Sequence, residues 1–171
     1  GEGIFITEWA PGSNAIQMLA STKKGSVKQL HAIGNYVPQN KFIDLDINLE
    51  KLRVSMFQPF ISVISSELGG MVTGNLTLKG KQGDLGLNGN LDFQKTSMML
   101  DYTNTRFSFT DRIIVSNNEF LFSNLEAFDS LGNKAVLNGK ISAYKLKELA
   151  VNLKLETTDV MVLNLTEDQN D

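Results

Sequence analysis

The chain has no cysteine, which excludes disulfides and thiolate chemistry but fits any compartment. It has a single histidine, His31, around which any serine–histidine triad or histidine-based metal site would have to be built. His31 lies in the alternating run Val27-Lys28-Gln29-Leu30-His31-Ala32-Ile33 and reads as a solvent-side strand residue. No apolar run approaches the roughly 18 residues expected of a membrane helix. No basic block or basic–aromatic interleaving appears, and the net charge is -3, so nucleic acid is not an expected partner. The opening Gly1-Glu2-Gly3 has neither an initiating methionine nor a leader, which reads as the start of a piece excised from a longer protein. With 171 residues, 42% hydrophobic and 20% charged, the chain suits one ordinary folded unit.

What is abundant is alternation. In Met71–Phe93, Val72, Gly74, Leu76 and Leu78 share one strand face, with Thr73, Asn75, Thr77 and Lys79 on the other. Leu85, Leu87, Gly89, Leu91 and Phe93 repeat this opposite Asn88, Asn90 and Asp92. Two registers match the apolar faces. One pairs Leu78 with Leu85 and sets Gly74 against Gly89; the other turns at Gln82-Gly83 and sets Leu76 against Gly89. The unit apolar-x-Gly-x-apolar recurs at Val72–Leu76, Leu87–Leu91 and Leu137–Ile141, which suggests a device for shaping one apolar face.

Further strands are expected at Ile4–Thr7, Ala15–Ser21, Val27–Val37, Lys41–Val54, Thr96–Tyr102, Arg106–Thr110, Ile113–Val115, Phe120–Phe122, Leu125–Phe128, Ala135–Ile141, Leu149–Leu155 and Val160–Leu165. One stretch changes period. Met56, Phe57, Phe60, Ile61, Ile64 and Leu68 recur every three or four residues, which predicts a helix over Ser55–Leu68. Its expected features are a Ser55/Gln58 capping box, Pro59 in the first turn and Gly69-Gly70 as the stop. The sum is a mainly β protein: an antiparallel sheet curled into a trough or roll with one short amphipathic helix. No domain boundary stands out. Residues 1–40 carry weaker strands, 41–166 the stronger pattern, and 167–171 form an acidic tail expected to fray.

Two acidic sets invite chemistry. Asp44, Asp46 and Glu50 line the polar face of one strand, but residues two apart on a strand are about 7 Å apart, too far to share one small ion without loop ligands. Asp92, Asp101, Asp111 and Asp129 lie at strand ends or turns, where aspartate serves the backbone, and no pair has catalytic spacing. No enzyme, cofactor or metal is expected.

From Lys41 onward the order of features resembles the carboxy-terminal region of the TamB family of AsmA-like envelope proteins. The carriers are the acidic alternating strand leading to Ser55–Leu68 and Gly69-Gly70, Gly74-Asn75-Leu76-Thr77-Leu78-Lys79-Gly80, and Leu87-Asn88-Gly89-Asn90-Leu91-Asp92-Phe93. Tyr102, Phe107-Ser108-Phe109, and Asp129-Ser130-Leu131-Gly132-Asn133-Lys134-Ala135 running into Leu137–Ile141 follow. The style of the sequence is similar to that of a Bacteroidetes member. The resemblance implies a periplasmic portion of an inner-membrane-anchored protein in a Gram-negative envelope. It implies a hydrophobic β groove serving outer-membrane protein assembly, protein secretion or phospholipid transport. The implied partners are a BamA-family outer-membrane barrel, through a region outside this chain, and phospholipid acyl chains or client outer-membrane protein strands. The expected groove lining is Val72, Leu76, Leu78, Leu85, Leu87, Leu91, Phe93, Phe107, Phe109, Leu137, Ile141, Val151, Leu153 and Leu155. The competing expectation is a closed β-sandwich, a spacer or adhesin-like module with that same face buried as core and no ligand.

Overall fold

A computed structural model describes residues 2–62, 65–101, 104–144, 148–157 and 163–166. These form one antiparallel sheet of eleven strands, each bonded to its sequence neighbours in an unbroken up-and-down order. The strands are β1 (Glu2–Trp9), β2 (Ile16–Lys24), β3 (Val27–Val37), β4 (Phe42–Arg53), β5 (Ser65–Lys81), β6 (Asp84–Leu100), β7 (Thr105–Ser116), β8 (Glu119–Asp129), β9 (Lys134–Tyr144), β10 (Glu148–Thr157) and β11 (Leu163–Thr166). Among the described residues the strands at the two ends of this order do not pair with each other, so the described sheet is open.

A flat single sheet leaves both faces to solvent. Here Val72, Leu125 and Val115 on one face are at most 2% exposed, and the main contacts between elements are those of sheet neighbours and of the helical turns at Val54–Phe57 and Gln58–Ile61 against β5. The sheet itself must therefore cover that face, which makes it the concave side of a curled trough. The inner face runs through Leu30, Ile47, Leu49, Val72, Leu76, Leu91, Val115 and Phe120 and on through Ile141 and Leu153.

Curvature is built in by β-bulges. Glu50-Lys51 on β4 stands against Thr73, Gln94-Lys95 on β6 against Thr110, and Ser123-Asn124 on β8 against Asn138. In each, the second residue is left-handed, with φ of 48° at Lys51, 47° at Lys95 and 54° at Asn124. Its backbone N–H donates to the side-chain oxygen of the residue opposite: Thr73 Oγ1 at 3.1 Å, Thr110 Oγ1 at 3.0 Å and Asn138 Oδ1 at 2.7 Å. A bulge bends its strand and increases twist. It also swaps which parity faces inward: Phe120 and Phe122 point in before the bulge of β8, Leu125 and Ala127 after it.

The expected helix over Ser55–Leu68 is corrected. Among the described residues of this stretch, only a 3-10 turn at Val54–Phe57 and one α-turn at Gln58–Ile61 form, with Pro59 in the first turn but no side-chain cap. From Ser65 the chain is already strand: Ser65 pairs with Leu100, Leu68 with Met98 and Gly69 with Ser97. Gly69-Gly70 therefore lies inside β5, with Gly70 against the bulged Lys95-Thr96 of β6, rather than forming a helix stop, and ladder hydrogen bonds to β6 replace the last helical turns. Met56 and Phe57 remain exposed, so the apolar stripe was never a buried helix face; Ile64 lies outside the described residues.

Several expected strand breaks are also absent. Thr96 continues β6, Asp111-Arg112 lies within β7, and Phe120–Phe128 is one strand. Tyr102 and residues 158–162 lie outside the described residues.

Candidate functional site: the concave apolar face

The hairpin at the centre takes the second of the two registers. Lys81 pairs with Asp84 across Gln82-Gly83, so Leu76 stands opposite Gly89, Leu78 opposite Leu87 and Gly74 opposite Leu91. The inner-face glycines share a pattern. Gly34 sits between Met18 and Leu45, Gly74 between Leu49 and Leu91, Gly80 between Ile43 and Leu85, Gly89 between Leu76 and Val115, and Gly139 between Phe122 and Leu153. Each glycine is flanked in register by two large apolar residues. At Gly89 and Gly139 the backbone itself demands glycine. Their φ values are +141° and +127°, and a Cβ would stand 2.1 Å from the carbonyl oxygen of Asn75 or Asn152. At Gly74 a Cβ would meet Leu91 Cδ2 at 3.0 Å, so a neighbouring leucine already fills that space. The glycines thus permit close strand approach on the concave side instead of leaving empty dents.

Of the fourteen expected lining residues, all take inner register positions, and all but Leu78 and Leu85 join one of two clusters. The first gathers Phe107, Ile113, Leu125, Ala127, Ala135, Leu137 and Leu153, with Phe93, Phe109, Ile141, Val151 and Leu155 packed against it. The second gathers Leu49, Leu52, Val54, Val72, Leu91 and Val115, with Leu76, Leu87 and Phe93 against it. Phe93 and Phe120 belong to both. The Phe93 and Phe109 rings lie 5.8 Å apart at 46°.

The face is not equally covered along the sheet. Val72, Leu91, Phe107, Leu137 and Leu153 are buried. The inner residues of β2 and β3, among them Ile16, Met18, Ala20, Leu30 and Ala32, are only half-buried, and Phe5 and Trp9 of β1 are 70% and 64% exposed. Leu45, Leu78 and Leu85 are half-buried and outside both clusters. The trough is closed over a core toward β10 and open toward β1.

The ion pairs lie on the convex face, while Asp111 takes an inner register position opposite Phe93. Asp44 pairs with Lys79 at 2.6 Å, Asp92 with Arg112 in a two-point contact at 2.6 and 3.0 Å, and Glu119 with Lys140 at 2.5 Å. Arg106–Glu67 and Lys134–Glu126 add further pairs. The hydrogen bond from Lys140, with help from Ser142, holds the Glu119 carboxyl below the usual glutamate range, and the Asp92 carboxylate raises the Arg112 guanidinium. Such exposed pairs contribute little each, but they keep that face wetted.

The acidic candidates are engaged separately. Asp46 accepts from Thr77 at 3.4 Å, Asp101 from Ser66 at 2.5 Å, and Asp111 from the N–H of Arg112 at 2.7 Å. Asp129 closes its loop, accepting from the N–H groups of Leu131 and Asn133 and from Asn133 Nδ2, all at 2.8 Å. The Asn133 side chain first, then these backbone donors, hold its carboxyl below the ordinary aspartate range. Among the described residues no three histidine, aspartate or glutamate side chains gather at a metal-binding distance. His31 lies in register between Ser21 and Asn48 on the convex side, its Nδ1 buried without a hydrogen-bond partner.

Sequence reasoning missed the bulges and one lock. Asn117 and Asn118, both left-handed (φ 47° and 67°), form the β7–β8 turn. The Asn118 side chain donates to Leu85 O and accepts from Leu87 N, both at 2.7 Å, tying this turn to β6. The adjacent Asn-Asn pair was its only visible signal. Beside it, Asp84, Leu85, Asn117, Glu119, Ser142 and Ala143 line a cleft of about 230 Å³.

No family model, curated protein or solved structure matches this chain.

Proposed function

We propose that the chain is a non-enzymatic segment of a TamB-like envelope protein, and that its concave face carries apolar cargo between membranes, with lipid acyl chains as the preferred occupant. What carries the reading is the continuous apolar inner face that stays open across β1–β3 and at Leu45, Leu78 and Leu85. Burying apolar surface yields about 25 cal/mol per Å², or about 0.8 kcal/mol per methylene, and needs no directional group. An open trough contacts one side of a chain, so about half of that, ~0.4 kcal/mol per methylene, is the expected gain. Long acyl chains are therefore bound and short ones are not. The BamA-family partner and the periplasmic setting follow from the resemblance beginning at Lys41.

The test is mass spectrometry of the purified protein for co-purified lipid, with Leu78→Arg for comparison. Leu78 lies outside both buried clusters, so arginine there should empty the trough with the fold kept. The closed half supports a second reading, a spacer whose apolar face is all core. Protein that carries no lipid and leaves an apolar fluorescent probe dark would establish that alternative.

A further inference from the structure

Across the middle of the convex face Lys79, Arg106, Arg112, Lys134 and Lys140 each hold a carboxylate. One corner of that face departs from this pattern. Lys23 on β2 stands opposite Lys28 on β3, two like charges facing each other in register. The extra residue Gln29 places both on the convex side, and its Nε2 donates to Lys51 O at 3.2 Å, which ties the β4 bulge to this end of β3. Lys51 sits at that bulge, Arg53 follows on the convex side of β4, and Lys95 sits at the bulge of β6. Among the described residues none of these five cations is in an ion pair, although Glu2 stands opposite Lys23 and Glu50 precedes Lys51. The nearby carboxylates of Asp92 and Glu67 are already held by Arg112 and Arg106. In a chain of net charge -3, the corner is a local positive field against the overall sign.

The same corner presents apolar side chains to solvent. Met71 stands opposite Arg53, and the helical turn that follows Arg53 adds Met56 and Phe57, all three exposed. At the other end of these strands Lys41 and Lys81 are also unpaired, but Lys81 stands opposite Asp84, and the adjoining turns are the polar Gln39-Asn40 and Gln82-Gly83. Cations and protruding apolar side chains on one surface match an anionic bilayer, where charge draws the protein in and apolar groups enter below the headgroups. An acidic protein or a soluble polyanion would match the cations and leave Met56, Phe57 and Met71 in water. We propose that this corner seats the protein on an anionic lipid surface, with Lys23, Lys28, Lys51, Arg53 and Lys95 at the headgroups and the three apolar side chains at the acyl boundary. The surface lies on the convex side and uses no residue of the trough lining.

The probe is a phosphatidylcholine vesicle containing about one-third phosphatidylglycerol, compared with pure phosphatidylcholine in a flotation assay at about 0.1 M salt. The protein should float with the anionic vesicles and stay behind with the neutral ones. Lys28→Gln and Lys51→Gln, exposed changes checked by circular dichroism, should each weaken binding about fivefold, the share of one cation near such a surface. Lys41→Gln, at the other end of the strands, should leave it unchanged. Phe57→Ser should weaken binding about tenfold. The Leu78→Arg protein should float as the unaltered protein does, which separates failure of this proposal from failure of the trough reading. Equal binding to neutral vesicles, or a Lys28→Gln protein indistinguishable from Lys41→Gln, overturns the proposal. So does undiminished binding by Phe57→Ser, since that leaves an acidic polymer or protein as the partner of the cations.

Discussion

The backbone N–H of Lys95 donates to Thr110 Oγ1 at 3.0 Å, so a bulge on one strand is held by a side chain of the next. The same relation links Lys51 to Thr73 and Asn124 to Asn138. One net hydrogen bond is worth about 1 kcal/mol. Thr110→Val and Thr73→Val should each cost about 1 kcal/mol in urea unfolding. Their sites are separated in the sheet, so the double variant should cost the sum. Lys95→Gly should be neutral or stabilising, because glycine relieves the left-handed backbone.

The inner-face glycines should divide sharply from exposed ones. Gly89→Ala and Gly139→Ala combine a disfavoured φ with a clash against a partner backbone carbonyl. Overpacking alone costs about 1–3 kcal/mol, and each should lose about 3 kcal/mol or fail to fold. Gly3→Ala, with nothing within 4 Å of its added Cβ, should leave the unfolding midpoint unmoved.

The alternation in Met71–Phe93 was enough to read the strands, the apolar face and a pair of candidate registers, because period-two patterning reports the pleat directly. The convex placement of Asp44, Asp46 and His31 followed from the same alternation. What alternation hid was continuity through bulges. Ser123-Asn124 shifts the inward parity from Phe122 to Leu125, so one strand looks like two segments broken by a turn. Ser55–Leu68 misled in the opposite sense. Its helical spacing was real in letters, but the ladder from Ser65–Gly69 to Ser97–Leu100 outweighed a local preference. The open end of the trough was illegible, since Met18 and Leu137 are equally apolar and only curvature decides which is covered.

Acid should loosen the β8–β9 loop only below the ordinary aspartate range. Asp129 has a folded pKa below its ordinary 3.8, so its contribution is present above that value and is lost as pH falls through the folded pKa. The protection of the Leu131 and Asn133 amides, measured relative to their unfolded exchange rates, should therefore fall as pH drops below the ordinary aspartate range. In Asp129→Asn that acid-dependent loss of protection should disappear.

Affinity for single-chain lipids should climb with chain length. At ~0.4 kcal/mol per methylene, each added methylene should tighten binding about twofold, measured by titration calorimetry across a fatty-acid series. A flat series would place the contacts at the headgroup.

The most direct measurement uses the absence of cysteine. Leu78→Cys on the concave face and Thr77→Cys on the convex face give two singly labelled proteins, neighbours in sequence and opposite in facing. Each carries bimane, and each is titrated with a spin-labelled stearic acid. The open-trough account expects strong saturable quenching at position 78 and little at position 77. Equal quenching at both, or none at either, would contradict it.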